Sequence, residues 1–268
     1  AMQFGEDHFK DLGGDRLKDM AFNMDGAHFI EMGGDRMADM AKHFGEDHFK
    51  DMGGDKLKDM AFTMQGDHFK EMGGDRMADM AKQFGETHFK DLGGDKLKDM
   101  AFTMQGDHFM EMGGDRMVDM AMQFGEDHFK DLGGDRLKDM AFTMQGDHFK
   151  EMGGDRMVDM AMHFGEDHFK DLGGDRLKDM AFNMDPANFM EMGGDRMADM
   201  AKNFGENHFM EMGGEKLKDM AFTMDGAHFM EMGGGHVADM AKQFGEDHFK
   251  EMGGDKLKDM AFTMQGDH

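Results

Sequence analysis

Residues 41–80 read AKHFGEDHFKDMGGDKLKDM and then AFTMQGDHFKEMGGDRMADM, and these two twenties, alternating with small changes, make up the whole chain. Every complete unit has Ala first, Phe ninth, Gly-Gly thirteenth and fourteenth, and Asp-Met last. Thirteen complete units and the start of a fourteenth run from Ala1 to His268. Self-similarity at a fixed period of this length is the signature of a solenoid. A Phe in the second place, at Phe22, Phe62, Phe102, Phe142, Phe182, Phe222 and Phe262, occurs only in the even units. The building block is therefore a pair of units, 40 residues long. The expectation is one continuous array over residues 1–268. Neither end departs from the pattern as a capping repeat does, which reads as a window on, or a processed piece of, a longer array.

Inside a unit the spacing is helical. Leu17, Met20, Ala21 and Met24 fall at i, i+3, i+4 and i+7, one face of an α-helix. Asp15 stands where an N-cap is expected, and Gly26 supplies a left-handed C-terminal stop. That predicts a helix of about ten residues crossing from one unit into the next. An acidic seventh residue, as at Asp47 and Asp67, then opens a second segment such as residues 68–72, read as one turn of α- or 3₁₀-helix before the next Gly-Gly. The fold class is all-α: a short-helix solenoid in which each unit gains its core by stacking on neighbours. Phe9, Phe29, Phe49 and Phe69, with Met20, Met40 and Met60, are its expected core.

Composition supports this and narrows function. Val118, Val158, Val237, Ile30 and six Thr are the only β-branched residues, too few for a protein held by strands. A formal charge of −26 argues against nucleic acid, which needs clustered Lys and Arg, and against an anionic membrane surface. No apolar run exceeds three residues, so no segment can span a bilayer. Cys is absent, which removes disulfide and thiolate chemistry without choosing a compartment. GGDRL at 13–17 and GGDKL at 53–57 superficially resemble a calcium-binding β-roll, but the nine-residue period and the third Gly are missing.

Three rows are candidates for chemistry. His occupies the eighth place of twelve complete units and recurs at His268. Stacked helices lie roughly 8–10 Å apart, whereas imidazoles sharing a zinc lie within about 2.1 Å of it, so ladder neighbours should not share an ion. One His with carboxylates of its own and adjacent units is a weak metal candidate, drawn from His8, Asp11, Asp15, His48 and His68. The alternative is structural: His caps the short helix and bonds the next layer. Met suits copper through its thioether, yet most of the 41 Met lie on the apolar face, where core filling accounts for them. Asp in the nineteenth place reads as a solvated stripe. Phe22 lies about 140° from Leu17 on a helical wheel, and the odd units put Lys42, Lys82, Lys202 and Lys242, or Met2, Met122 and Met162, at that place. The even-unit Phe row is thus either half-buried or a strip for lateral contact.

No nucleophile and base stand at a recognisable spacing, so an enzyme is not expected. The reading is a structural repeat protein, extracellular or on a cell surface, that self-associates into filaments or sheets. The alternatives are an acidic His/Asp ladder binding divalent cations or a mineral surface, and a solenoid module binding a peptide. No other cofactor is expected.

Overall fold

The first glycine of each Gly-Gly pair sets the architecture. Gly33, Gly53 and Gly73 have φ of 85°, 72° and 85°, with ψ near 160° at Gly33 and Gly73, a conformation that a Cβ disfavours. At each such point one helix ends and the next begins. The structure, a computed structural model, describes residues 6–264, so Ala1, Met2 and His268 lie outside the described residues. Among those residues there are twenty helices and no strand. The protein is an all-α short-helix solenoid.

One 40-residue module shows the plan. Gly26–Met32 is a short helix, Gly34–Ala41 a long one, and Glu46–Thr63 a short and a long helix run together across Gly53. The same order follows in Gly66–Met72, Gly74–Ala81 and Glu86–Thr103. Contacts group the chain into two compact units, Ala1–Leu132 and Gly133–His268. In the first, Glu46–Thr63 packs on Glu86–Thr103; in the second, Glu166–Phe182 packs on Glu206–Thr223 and that on Glu246–Thr263. Each coil turn of both units is thus 40 residues, and side chains meet their partners about 33 residues away.

Four local expectations need correction. The long helix opens at Gly14, with Gly13 as its cap residue, so Asp15 lies in the first turn instead of capping it. There its charge still suits the helix dipole. Gly26 does not stop a helix but starts one. The preceding helix closes at Asn23, whose N–H donates to the Met20 carbonyl at 3.1 Å. The short segment is a seven-residue α-helix rather than one turn, as in Gly66–Met72, where the N-cap Gln65 N–H donates to the His68 ring. Its cap residue is the fifth of the unit, not the acidic seventh: Asp25 Oδ1 accepts the His28 amide at 3.0 Å.

Phe9, Phe29, Phe49 and Phe69 are wholly buried, as are Met40 and Met60; Met20, in the first turn of the coil, is partly exposed. Burying a Phe or Met removes apolar surface worth about 1.5–3 kcal/mol each. In the odd units Phe44 and Phe84 join this core and meet Phe49 and Phe89 edge-on, with centroids 5.7 Å apart. Ion pairs repeat along the outside at the same 33-residue separation. Lys18, Lys58 and Lys98 reach Asp51, Asp91 and Asp131 at 2.7, 2.9 and 2.8 Å. The hydrogen bond from Lys18 holds the Asp51 carboxyl below its usual range. Such exposed pairs stabilise little individually; repeated once per turn, they favour one register.

Candidate functional site

Each ladder histidine caps its own helix through one ring nitrogen and joins the previous turn through the other. Nδ1 accepts the backbone N–H of the residue three before it, from Gly45 to His48 at 2.9 Å, Gln65 to His68 at 2.8 Å and Gly85 to His88 at 3.0 Å. That amide is the N-cap N–H of the short helix, so the imidazole caps its own helix. Since a donor points at Nδ1, the ring proton sits on Nε2. From there it donates to a carboxylate of the previous turn: His48 to Asp15 at 3.1 Å, His68 to Asp35 at 2.9 Å, His88 to Asp55 at 3.1 Å. In the second unit His168, His208 and His248 reach Asp135, Asp175 and Glu215, each at 3.0 Å.

Asn188 replaces one ladder His and keeps both bonds. Its Oδ1 accepts the Asp185 N–H at 2.9 Å, and its Nδ2 donates to Asp155 at 3.0 Å. An amide reproduces one acceptor and one donor, which is the pattern of a neutral Nε2–H imidazole. A shallow cleft lies beside it, lined in part by Arg156, Phe182 and Asn183.

The second glycine of each pair makes room for this ring. A Cβ on Gly74 would lie 2.3 Å from His108 Cε1; one on Gly14 would meet the His43 carbonyl at 2.5 Å as well as His48 Cε1 at 2.7 Å. The glycine pair therefore has two functions, backbone freedom at the first residue and ring contact at the second. Sequence reasoning read the pair only as the stop after the short segment and gave the left-handed role to Gly26. The invariance of both glycines in every unit was the available signal for the second.

Of the metal candidates, the structure brings together His48 and Asp15, and pairs His68 with Asp35. These carboxylates come from two units earlier, not from the same or the adjacent unit, because one coil turn spans two units. His8 and Asp11 are exposed. Among the described residues, no group of three or more His, Asp or Glu is placed to hold an ion.

The nineteenth-place Asp row is not a solvated stripe. Asp39 and Asp79 are largely covered and take Lys42 and Lys82 at 3.3 and 3.2 Å, and burial pushes the Asp79 carboxyl up. A cation row was missed as well. Lys56 and Lys96 cross to the end of the long helix one turn back, donating to the Phe22 carbonyl at 3.3 Å and the Phe62 carbonyl at 3.1 Å, and also to those of Met24 and Met64. They satisfy carbonyls that a helix end leaves without partners. Burial lowers the pKa of Lys96.

The even-unit phenylalanines lie beside these cations. Phe22, Phe62, Phe142, Phe182 and Phe222 are between 41 and 51 % exposed, and Phe262 is 67 % exposed; Phe102 is half-buried. Arg176 lies over the Phe142 ring at 4.2 Å. Compared with known protein families, curated proteins and solved structures, the chain matches none.

Proposed function

We propose that this chain is a structural repeat protein that associates with copies of itself, in filaments or sheets, through the even-unit phenylalanines. The observation that carries the reading is their exposure: Phe22 and Phe62 in the first unit, and Phe142, Phe182 and Phe222 on successive turns of the second, leave 41 to 51 % of their surface to solvent. A lone exposed Phe needs no explanation; a row of them at a fixed interval presents a repeated apolar contact. A partner with the same 40-residue period meets several rings at once, and linked weak contacts multiply in strength. The histidines support a structural reading over metal binding or catalysis. His48, His68 and His88 have Nδ1 and Nε2 both engaged in hydrogen bonds that an ion would have to displace.

The test replaces Phe62, Phe142, Phe182 and Phe222 with Lys, the residue several odd units carry at that place. Helical circular dichroism should be retained. Electron micrographs should show assemblies for the parent chain and dispersed particles for the variant. A parent chain that stays monomeric at high concentration, or a variant that assembles equally well, contradicts the proposal.

A further inference from the structure

We propose that the histidine ladder is a proton-sensitive clasp: a ladder ring whose only Nδ1 partner is a backbone amide caps its own helix while it bridges to the turn before, and a proton added at Nδ1 breaks that cap and leaves the bridge. His208 shows the geometry. Its Nδ1 accepts the Gly205 amide at 2.9 Å, its Nε2–H donates to Asp175 at 3.0 Å, and the ring lies against Gly174 and beside Phe204. A second proton can enter only at Nδ1, where it faces the Gly205 N–H, donor against donor. The cap is lost, and the amide has no acceptor while the ring stays in place.

The charges around the ring decide whether a cation is tolerated. Asp175 faces it from the preceding turn, with Lys178 and Arg176 on the same helix beside that carboxylate. Glu211, on the ring's own helix, is occupied by Lys178 at 2.5 Å. The hydrogen bond from His208 holds Asp175 below the usual carboxylate range, so it stays ionised throughout the imidazole window. Asp175 attracts a cationic ring, but its side chain is 91 % exposed, and water screens an exposed pair. The opposition at Nδ1 is within hydrogen-bond distance and is shielded by the packed ring. The cap is therefore lost, while Nε2–H still donates to Asp175.

Two turns of the same unit serve as controls. At His228 the Asp225 carboxylate lies 2.8 Å from Nδ1, so a proton there finds an acceptor. At Asn188 no proton binds in this range, while the cap and the bridge are both present. The chain thus contains an opposed clasp, a compensated one and an inert one.

The experiment is hydrogen exchange on the full chain at pH 7.5 and 5.5, corrected for intrinsic rates and resolved at the cap amides. Protection at Gly165, Gly205 and Gly245 should fall about tenfold on acidification, the loss of roughly one hydrogen bond. Protection at Asp185 should not change. His208→Asn should remove the fall at Gly205 alone. Equal protection at both pH values for the three glycine amides overturns the proposal, as does an equal fall at Asp185. If His208→Asn does not fold, the contrast between Gly205 and Asp185 in the parent chain decides the matter. Nitrogen NMR of the imidazoles at pH 7.5 adds a separate check, since an Nδ1–H tautomer at His208 is incompatible with the clasp.

Discussion

Gly73 and Gly74 are adjacent for unrelated reasons, and the difference is measurable. Gly73 has a φ of 85° with nothing near its missing Cβ, so Ala there is strained by its own backbone. Gly74 has ordinary helical dihedrals, but a Cβ on it would run into the His108 ring. Each Ala variant should cost about 1–3 kcal/mol, by backbone strain at Gly73 and by overpacking at Gly74. Denaturant midpoints of a double-mutant cycle separate the two causes. In a His108→Ala background Gly74→Ala should lose most of its cost, because the ring it strikes has gone. Gly73→Ala should cost the same as before, since residues without a shared partner add. Additivity in both pairs would mean that the ring does not require the second glycine.

At the scale of the helix, the pairing of units has a direct mechanical basis. Lys96, in an odd unit, reaches the Phe62 and Met64 carbonyls at the end of an even-unit helix, and Lys58 meets Asp91 one full turn on. Deleting residues 61–100 removes one turn and keeps odd facing even. Deleting residues 61–80 sets an odd unit after an odd one, so Phe84 and Lys82 enter places shaped for Met64 and Phe62. Thermal unfolding should show the 40-residue deletion close to the parent and the 20-residue deletion lower by several degrees; equal midpoints would mean that the pair is not the structural unit. The helical period and the 40-residue alternation were legible in the residues, because apolar spacing and the Phe22 row are written along the chain. The caps were not. Asp15 has the chemistry of an N-cap, and only the dihedrals of Gly13 show that the helix starts two residues earlier than an Asp15 cap would allow. The partner of each ladder His was also hidden, since linear spacing favours carboxylates such as Asp7 and Asp11 over one 33 residues away. The coil turn, not the sequence neighbourhood, brings His48 to Asp15.

Over the whole molecule the main force opposing association is charge repulsion, with 57 acidic residues against 31 basic ones. Acid relieves it: protonating all sixteen histidines would take the formal charge from −26 to −10. The same acid acts on the clasp, so a pH series mixes weaker repulsion between chains with uncapped short helices inside them. Salt at a fixed pH of 7.5 isolates the first effect, because the imidazoles stay as they are while the screening length falls from about 10 Å at 0.1 M to about 3 Å at 1 M. Apolar contacts between exposed rings such as Phe62 and Phe182 are not weakened by that screening. Light scattering of the parent chain should therefore rise with sodium chloride, and the chain with Lys at residues 62, 142, 182 and 222 should show little rise. A chelator should change neither curve. Scattering that falls with salt would mean that ion pairs, such as exposed Asp against Lys of another copy, hold the assembly instead of the rings. Scattering abolished by the chelator would transfer the argument to bound cations, and the exposed Asp15 row, whose Oδ1 faces His48, would be the place to seek them.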